Sequence, residues 1–410
     1  MNVWIVNPYG TVPGEGWRDY RSYMLALALH ARGHQVRWFL SDFVHRSKTY
    51  RQAGSHSMKP GLEVTALHAS AYSSNISLDR IRYERSFGRS FAQASAELPK
   101  PDVVVLADPS LFYSAPVLRY CRSSGCKLVL DVIDLWPELF AVVLPKPLRR
   151  LQGAIFAPLY NRRRRLAAAA DGVVAVTGDY LDTVCPATSH PAKPRQVAYW
   201  GVDLADFRNA SSPAGLGRRM HGVRDDAALV VAYAGTLGDA YDMSLLEQAV
   251  EHVAASGKPV RFVVAGDGPK RERFEALAAR LPGTLRFLGP VDARDLAAVY
   301  ADCDVGLMSY VTGSTVSMPI KFYDYLAAGL AILNSLGREA GQFVERTEIG
   351  LNYVPQDLSS LMQGLEQLAS QPAMLALCKA NALQLAEEFD SRRQHDRFAA
   401  FVESVVASPA

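Results

Sequence analysis

The chain has 410 residues, 49% of them apolar and 21% charged, with a formal net charge of +3. That length exceeds what one hydrophobic core serves and predicts two domains; the composition excludes a fibrous or disordered chain, and so small a net charge argues against a nucleic-acid partner, which needs a concentrated basic face. The opening MNVWIVNPYG lacks the basic start of a signal peptide, and no apolar run approaches the ~20 residues of a membrane span, so the expected location is cytoplasmic.

VWIVN (3–7) reads as a strand that ends in the Gly/Pro-rich loop PYGTVPGEG. Tyr20, Met24, Leu27, Ala28 and Ala31 then share a helical face that Gly33 stops, and QVRWFL (35–40) is the next strand. Strand, glycine loop, helix, strand is how a doubly wound α/β domain begins. DVVVLA (102–107), KLVLDV (127–132) and GVVAVT (172–177) continue it as buried parallel strands, while 43–61 reads as a long loop. Between 186 and 228 the composition turns to Pro, Ser, Gly and Arg, with VAYWGVD (197–203) its one strand-like piece; the domain linker belongs here. A second alternating series follows: LVVAYAG (229–235), VRFVVAG (260–266), TLRFLG (284–289), DVGLMS (304–309) and LAILNS (330–335) are strands, with helices such as 243–256 and 270–281 between them. Helical segments at 356–371, 374–389 and 391–406 close the chain. The expected division is 1–195 and 196–390, with the helix from about 391 to 410 packing back on the first domain. The five cysteines, odd in number and without CxxC spacing, read as buried free thiols.

In parallel sheets ligands sit outside the carboxyl ends of the strands, so the residues just after each strand carry the information. STVSMPIKFYDYLAAG (314–329) places Ser317 as an N-cap, Pro319 at a first helical position, and Lys321 and Asp324 one turn apart. Such a helix end seats phosphate, and Asp324 suits a vicinal diol, although an acidic first turn also offsets the helix dipole with no ligand present. AYAGTLGDA (232–240), VVAGDGP (263–269) and LGPV (288–291) are three more loops at strand ends, and glycine lets backbone approach a ligand closely.

This succession resembles the C-terminal lobe of family 4 glycosyltransferases, and DLWPE (134–138), ADGVVAVT (170–177) and WGVDLADF (200–207) resemble their N-lobe and linker landmarks. The opening NPYGTVPGEGWRDYRSYMLALALHARGHQV is similar to a subgroup acting in bacterial surface-polysaccharide assembly, amino-deoxysugar transferases included. The resemblance implies an α/β GT-B fold, two Rossmann-like domains facing a cleft, and retaining transfer of a sugar from a nucleotide donor to a glycan or lipid-linked acceptor. The donor implied is UDP-linked, with GDP- and dTDP-linked donors as alternatives, and no other cofactor is called for. Lys321 then stands at a cation that neutralises the diphosphate and Asp324 at the acid that holds ribose. Gly235, Thr236, Gly266, Asp267, Gly268, Pro290, Val291 and the loop Ser314, Thr315, Val316, Ser317 line the donor side.

Departures from the family pattern are as informative. Its first Glu falls at Val316, and its phosphate-loop Arg and Lys fall at Thr236 and Tyr241, which leaves Lys321 more of the work. A double-displacement pair of carboxylates about 5 Å apart is missing at the obvious place, so same-face attack assisted by the departing phosphate is expected. No Asp-x-Asp pair follows a strand to hold a divalent ion, and metal independence is expected.

On the acceptor side the candidates are Tyr9, Gly10, Gly14, Glu15, Gly16, Trp17, Arg18 and Arg21, with Asp134 to orient or deprotonate the acceptor and Glu138 beside it. An N-cap role for Asp134 and core packing for Trp17 and Trp136 remain open. The basic, leucine-interleaved segment 145–172 reads either as a helix on anionic lipid or as a solvated helix with one core stripe. A nucleotide-sugar epimerase or hydrolase, and a non-catalytic sugar-nucleotide-binding protein, are the competing functions.

Overall fold

The computed structural model describes residues 1–15, 21–189, 192–211 and 228–408. Candidates Gly16, Trp17 and Arg18 lie outside the described residues. The chain divides into two compact units, Met1–Tyr199 with Arg392–Ala410, and Trp200–Ser391.

The first unit runs β1 (Asn2–Val6), α1 (Arg21–Ala31), β2 (Gln35–Ser41), a short hairpin of β3 (Phe43–Val44) and β4 (Thr49–Tyr50), β5 (Gly54–Lys59), β6 (Leu62–Leu67), α2 (Leu78–Ala96), β7 (Val103–Asp108), α3 (Ser114–Ser124) and β8 (Lys127–Val132). After 3₁₀ turns at Glu138–Val143 and Lys146–Leu151 come α4 (Gln152–Ile155), α5 (Ala157–Ala169), β9 (Gly172–Ala175), α6 (Gly178–Val184) and β10 (Arg195–Val197). The sheet order is β10-β9-β8-β7-β1-β2-β6-β5, parallel throughout except for β5, which pairs antiparallel with β6. Every residue of VVVLAD in β7 is buried, as a strand covered on both faces requires.

Two segments differ from the sequence reading. The stretch 43–61 is not one long loop but the β3–β4 hairpin and the edge strand β5. Apart from the half-buried Met58, its residues GSHSMK are exposed and none is a large apolar side chain, which hides an edge strand from any hydrophobic pattern. The basic segment is not one helix either: Pro147 and Pro158 each sit at the start of a new piece, because proline has no N–H to continue a preceding turn.

The second unit runs α7 (Leu204–Ser211), β11 (Leu229–Ala234), α8 (Met243–Ser256), β12 (Val260–Ala265), α9 (Arg271–Arg280), β13 (Leu285–Gly289), α10 (Ala293–Ala301), β14 (Val305–Met308), α11 (Ile320–Ala327), β15 (Ala331–Asn334), α12 (Arg338–Thr347), β16 (Gly350–Asn352), α13 (Leu358–Ser370) and α14 (Pro372–Ala386). Its all-parallel sheet has the order β13-β12-β11-β14-β15-β16. The order reverses between β11 and β14, and a ligand crevice is expected at the carboxyl ends of those two strands. Helix starts are fixed by side-chain caps: Asp242 accepts from Leu245 N at 3.2 Å and Asp357 from Ser360 N at 3.0 Å.

The last helix, α15 (Ser391–Ala407), returns the chain to the first unit, where Phe398, Phe401, Val402 and Val405 join Val3, Ile5, Leu25 and Val174 in one core. All five cysteines are buried, and none forms a disulfide.

Candidate active site

At the reversal point of the second unit, the loops after β11, β12 and β13 stack on one another through backbone hydrogen bonds. Gly235 N donates to Ala265 O (3.0 Å), Leu237 N to Asp267 O (2.9 Å), and Gly266 N to Gly289 O (2.7 Å). The spacing leaves no room for side chains. A Cβ on Gly266 would lie 1.9 Å from Gly235 O, and one on Gly268 would lie 2.7 Å from Leu237 O; all three glycines have φ near +150°. These are positions only glycine fills without strain.

Lys321, in the first turn of α11, projects into this stack. Its Nζ would be 3.0 Å from a Cβ on Gly235. The residue is 8% exposed, and Nζ has no hydrogen-bond partner among the described residues. Three tyrosine rings surround it instead: Tyr233 at 4.0 Å, Tyr241 at 4.9 Å and Tyr310 at 5.5 Å from the centroids. Burial pulls its pKa down to about 7, with the nearby Asp324 charge pulling the other way. The ammonium is therefore sheltered rather than standing in solvent, and Asp324 is buried with it.

The helix start differs from the sequence reading. Ser317 is fully buried, and Pro319, in an extended conformation, takes the N-cap position without offering a side-chain cap. A proline forces the residue before it out of the helical region, so α11 begins after it.

Around this centre, Thr236 and Pro290 are exposed and Val291, Ser314, Thr315 and Val316 are half-buried. Ser314 Oγ accepts from Val316 N at 3.3 Å, which closes the loop ahead of α11. Asp267 is exposed; it accepts from Gly268 N at 2.9 Å and pairs with Arg271 at 3.7 Å. The tyrosine cage was not among the sequence candidates, although Tyr241 drew notice as a replacement for a cation.

The acceptor candidates in the first unit separate. Tyr9 donates to Glu84 (2.6 Å), Gly10 packs on Trp38, where a Cβ would meet the ring at 2.3 Å, and Gly14 turns the loop at φ +91°. Glu15 accepts from Val12 N (3.1 Å) and pairs with Arg51 (3.1 Å). Arg21 is not an acceptor-side group. It is 1% exposed, forks onto Asp131 at 2.7–2.9 Å and donates to Ala198 O at 2.6 Å. Glu138 is likewise committed, both oxygens accepting from Arg163 at 2.6 Å. Asp134 accepts from Leu135 N (2.8 Å) and from Trp136 Nε1 (3.1 Å), and burial pushes its pKa up while those bonds pull it back. Among the described residues no three His, Cys, Asp or Glu side chains are grouped to hold a metal ion, and no helix is long and apolar enough to cross a membrane.

Known proteins agree with this architecture. The chain shares 26% identity over 192 residues with 2-deoxystreptamine glucosyltransferase of Streptomyces kanamyceticus, covering 44% of this chain and 48% of that protein, so it spans about half the length of the curated relative it matches. Sucrose-phosphate synthase from Thermosynechococcus elongatus superposes with a TM-score of 0.75 at 16% identity, covering 100% of both chains. Anabaena HepE, solved with UDP-glucose, superposes with a TM-score of 0.63 at 17% identity over 98% of this chain and 99% of that one. Such neighbours establish the GT-B fold. Residues 20–200 match the glycosyl transferase 4-like domain and residues 228–371 the glycosyl transferases group 1 domain. With both domains present in that order, the chain belongs to the family 4 glycosyltransferases.

Proposed function

We propose that the protein transfers a sugar from a nucleotide diphosphate donor, UDP-linked in the first instance, to a glycan or lipid-linked acceptor with retention of configuration, in the building of a bacterial surface polysaccharide. The observation that carries this reading is Lys321: a buried ammonium without a hydrogen-bond partner among the described residues, held where glycine loops leave backbone open. Such a group waits for an anion. As the acceptor oxygen bonds to the sugar's anomeric carbon, the carbon–phosphate-oxygen bond breaks. The nucleoside diphosphate leaves with the electron pair and takes up the acceptor's proton. Lys321 and the backbone N–H groups of the first turn of α11 stabilise the charge that develops on that leaving group. Val316 offers no carboxylate nucleophile, which favours same-face attack over a covalent intermediate. The scheme assigns the charge-stabilising work to these groups, with no metal in it.

A panel of UDP-, GDP- and dTDP-sugars incubated with glycan and lipid-linked acceptors tests this. Acceptor-dependent release of nucleoside diphosphate, with an α-linked product from an α-linked donor, is expected. Release or epimerisation without acceptor, or tight binding without turnover, would overturn it.

A further inference from the structure

The first unit contains a pocket of about 370 Å³ that the reaction scheme above does not use. Its size lies in the range of small-ligand sites. Ile76, Leu78 and Ile81, at and just before the start of α2, form part of its wall; Phe140, Phe156 and Leu159, from the segment after β8, also line it. Polar groups come mainly from Arg80 and Glu84, and both are already engaged. The Arg80 guanidinium lies 4.1 Å over the Trp136 ring, and Glu84 accepts from Tyr9 (2.6 Å) and from Phe112 N (2.9 Å). A sugar hydroxyl finds little to bond here, whereas a hydrocarbon finds carbon. Leu78 is 74% exposed, and Leu148, Leu151 and Ile155 are also exposed. Exposed apolar clusters of this kind mark surfaces that meet a partner or a lipid.

A smaller pocket of about 240 Å³ is built from the same elements: Pro158, Arg162 and Arg165 of α5, and Ser114 and Ala115 at the start of α3. Arg162 lines this smaller pocket, while Leu111 and Phe112 line the larger one. Arg162 joins them, donating to Leu111 O and lying 5.3 Å over the Phe112 ring. Arg149, Arg150, Arg162, Arg164 and Arg165 are all exposed. Carbon beside guanidinium is the complement of an amphiphile with an anionic head.

We propose that these two pockets seat a phosphate-bearing lipid, with one hydrocarbon chain in the apolar pocket and the phosphate on Arg162 and Arg165. The proposal rests on the transferase reading only for its purpose, which is to present a lipid-linked acceptor at a membrane surface.

The full chain is titrated with dodecyl phosphate below its micellar concentration, reading Trp136 emission as the difference from a Trp136→Phe variant. Dodecyl maltoside and inorganic phosphate serve as the comparison probes. Saturable binding of dodecyl phosphate is expected, at least about tenfold tighter than that of inorganic phosphate. Leu78→Asp, at an exposed position that spares the fold, and Phe156→Ser weaken both chain-bearing probes about tenfold. Arg162→Gln with Arg165→Gln weakens dodecyl phosphate alone. Flotation with vesicles containing about 30% phosphatidylglycerol follows the same ranking, and pure phosphatidylcholine vesicles bind less. Dodecyl phosphate no tighter than inorganic phosphate, binding unchanged in Leu78→Asp at unchanged Tm, or self-association that Leu78→Asp abolishes while lipid binding is absent, would each overturn the proposal. Parallel titrations of the wild-type chain with UDP, GDP and dTDP separate the two readings. One of these nucleotides bound without lipid sinks this inference alone, and lipid bound with none of the three sinks the transferase reading alone.

Discussion

Among the described residues the ammonium of Lys321 meets aromatic faces and no hydrogen-bonding oxygen, and each such aromatic contact contributes about 0.5–2 kcal/mol, more as the group is desolvated. That cage keeps a cation in place but does not keep it charged: the pKa is lowered to about 7, so above pH 7 the free site is mostly neutral. A diphosphate binds the charged form, and binding above pH 7 therefore takes up about one proton, while below pH 7 it takes up none. A nucleotide-sugar donor of the proposed class, whose diphosphate does not titrate in this range, should lose affinity by up to about tenfold per pH unit above 7 and stay level below it. Calorimetry in buffers of different ionisation heat checks this, and equal heats at pH 8.5 would contradict it. Folding has the matching dependence. The folded pKa lies below the unfolded value, the unfolded chain binds the extra proton between pH 7 and 10.5, and stability rises with pH across that window. Lys321→Met should remove that slope, and Lys321→Ala should cost about 10²–10³ in turnover. The sequence singled out Lys321 because its place in a helix's first turn is local information. The three tyrosines come from β11, from the turn before α8 and from the end of β14, so only the fold unites them. Arg21 failed for the same reason: its partner Asp131 is 110 residues away, and a buried charge looks like an exposed one until the partner is found.

Glycines in the strand-end loops act as spacers between elements. Gly266→Ala drives a Cβ into Gly235 O at a φ of +150°, so it should destabilise the second unit by about 2–4 kcal/mol and weaken binding of the proposed nucleotide donor together with stability. Urea titration with and without ligand measures both, and an unchanged midpoint would remove the packing argument. The pairing of Glu138 with Arg163 is the corresponding device in the first unit. Arg163 is only 6% exposed, and Glu138→Ala would leave its charge without a carboxylate, with the Trp136 carbonyl as its remaining acceptor, at a cost of about 3 kcal/mol, which a denaturant midpoint registers whether or not an acceptor is present. A variant with full stability and a raised acceptor KM would instead return Glu138 to the acceptor side. The parallel strands were legible because strands buried on both faces are continuous apolar runs, as in VVVLAD and LVVAYA. β5 was not, because an edge strand with exposed side chains needs no apolar residue. The breaks in 145–172 were visible as prolines, but a basic and leucine-rich composition pointed to a longer helix than proline allows.

The chain leaves the first unit at Tyr199 and returns to it at Arg392, with the whole second unit between. Val202 and Asp390 form a parallel bridge and Ser391 N donates to Val202 O at 2.9 Å, so the second unit is closed at its own neck before α15 departs. Such a chain is not expected to unfold in one step. The nucleotide donor that the chain binds, at about a hundred times its Kd, should raise the stability of one calorimetric transition by about 2.7 kcal/mol and leave the other in place. Removing residues 392–408 assigns the transitions. It takes Phe398, Phe401, Val402 and Val405 from the first unit's core, a loss of about 6–12 kcal/mol at about 1.5–3 kcal/mol for each buried side chain. Since a domain of this size has a net stability of only about 5–15 kcal/mol, the first unit should no longer hold its native core. The ligand-sensitive transition should survive, because its sheet, its glycine loops and Lys321 all lie between Trp200 and Ser391. If instead the truncated chain keeps the ligand-insensitive transition and loses the ligand-sensitive one, α15 serves the nucleotide side, and the assignment of the helix to the first core is wrong.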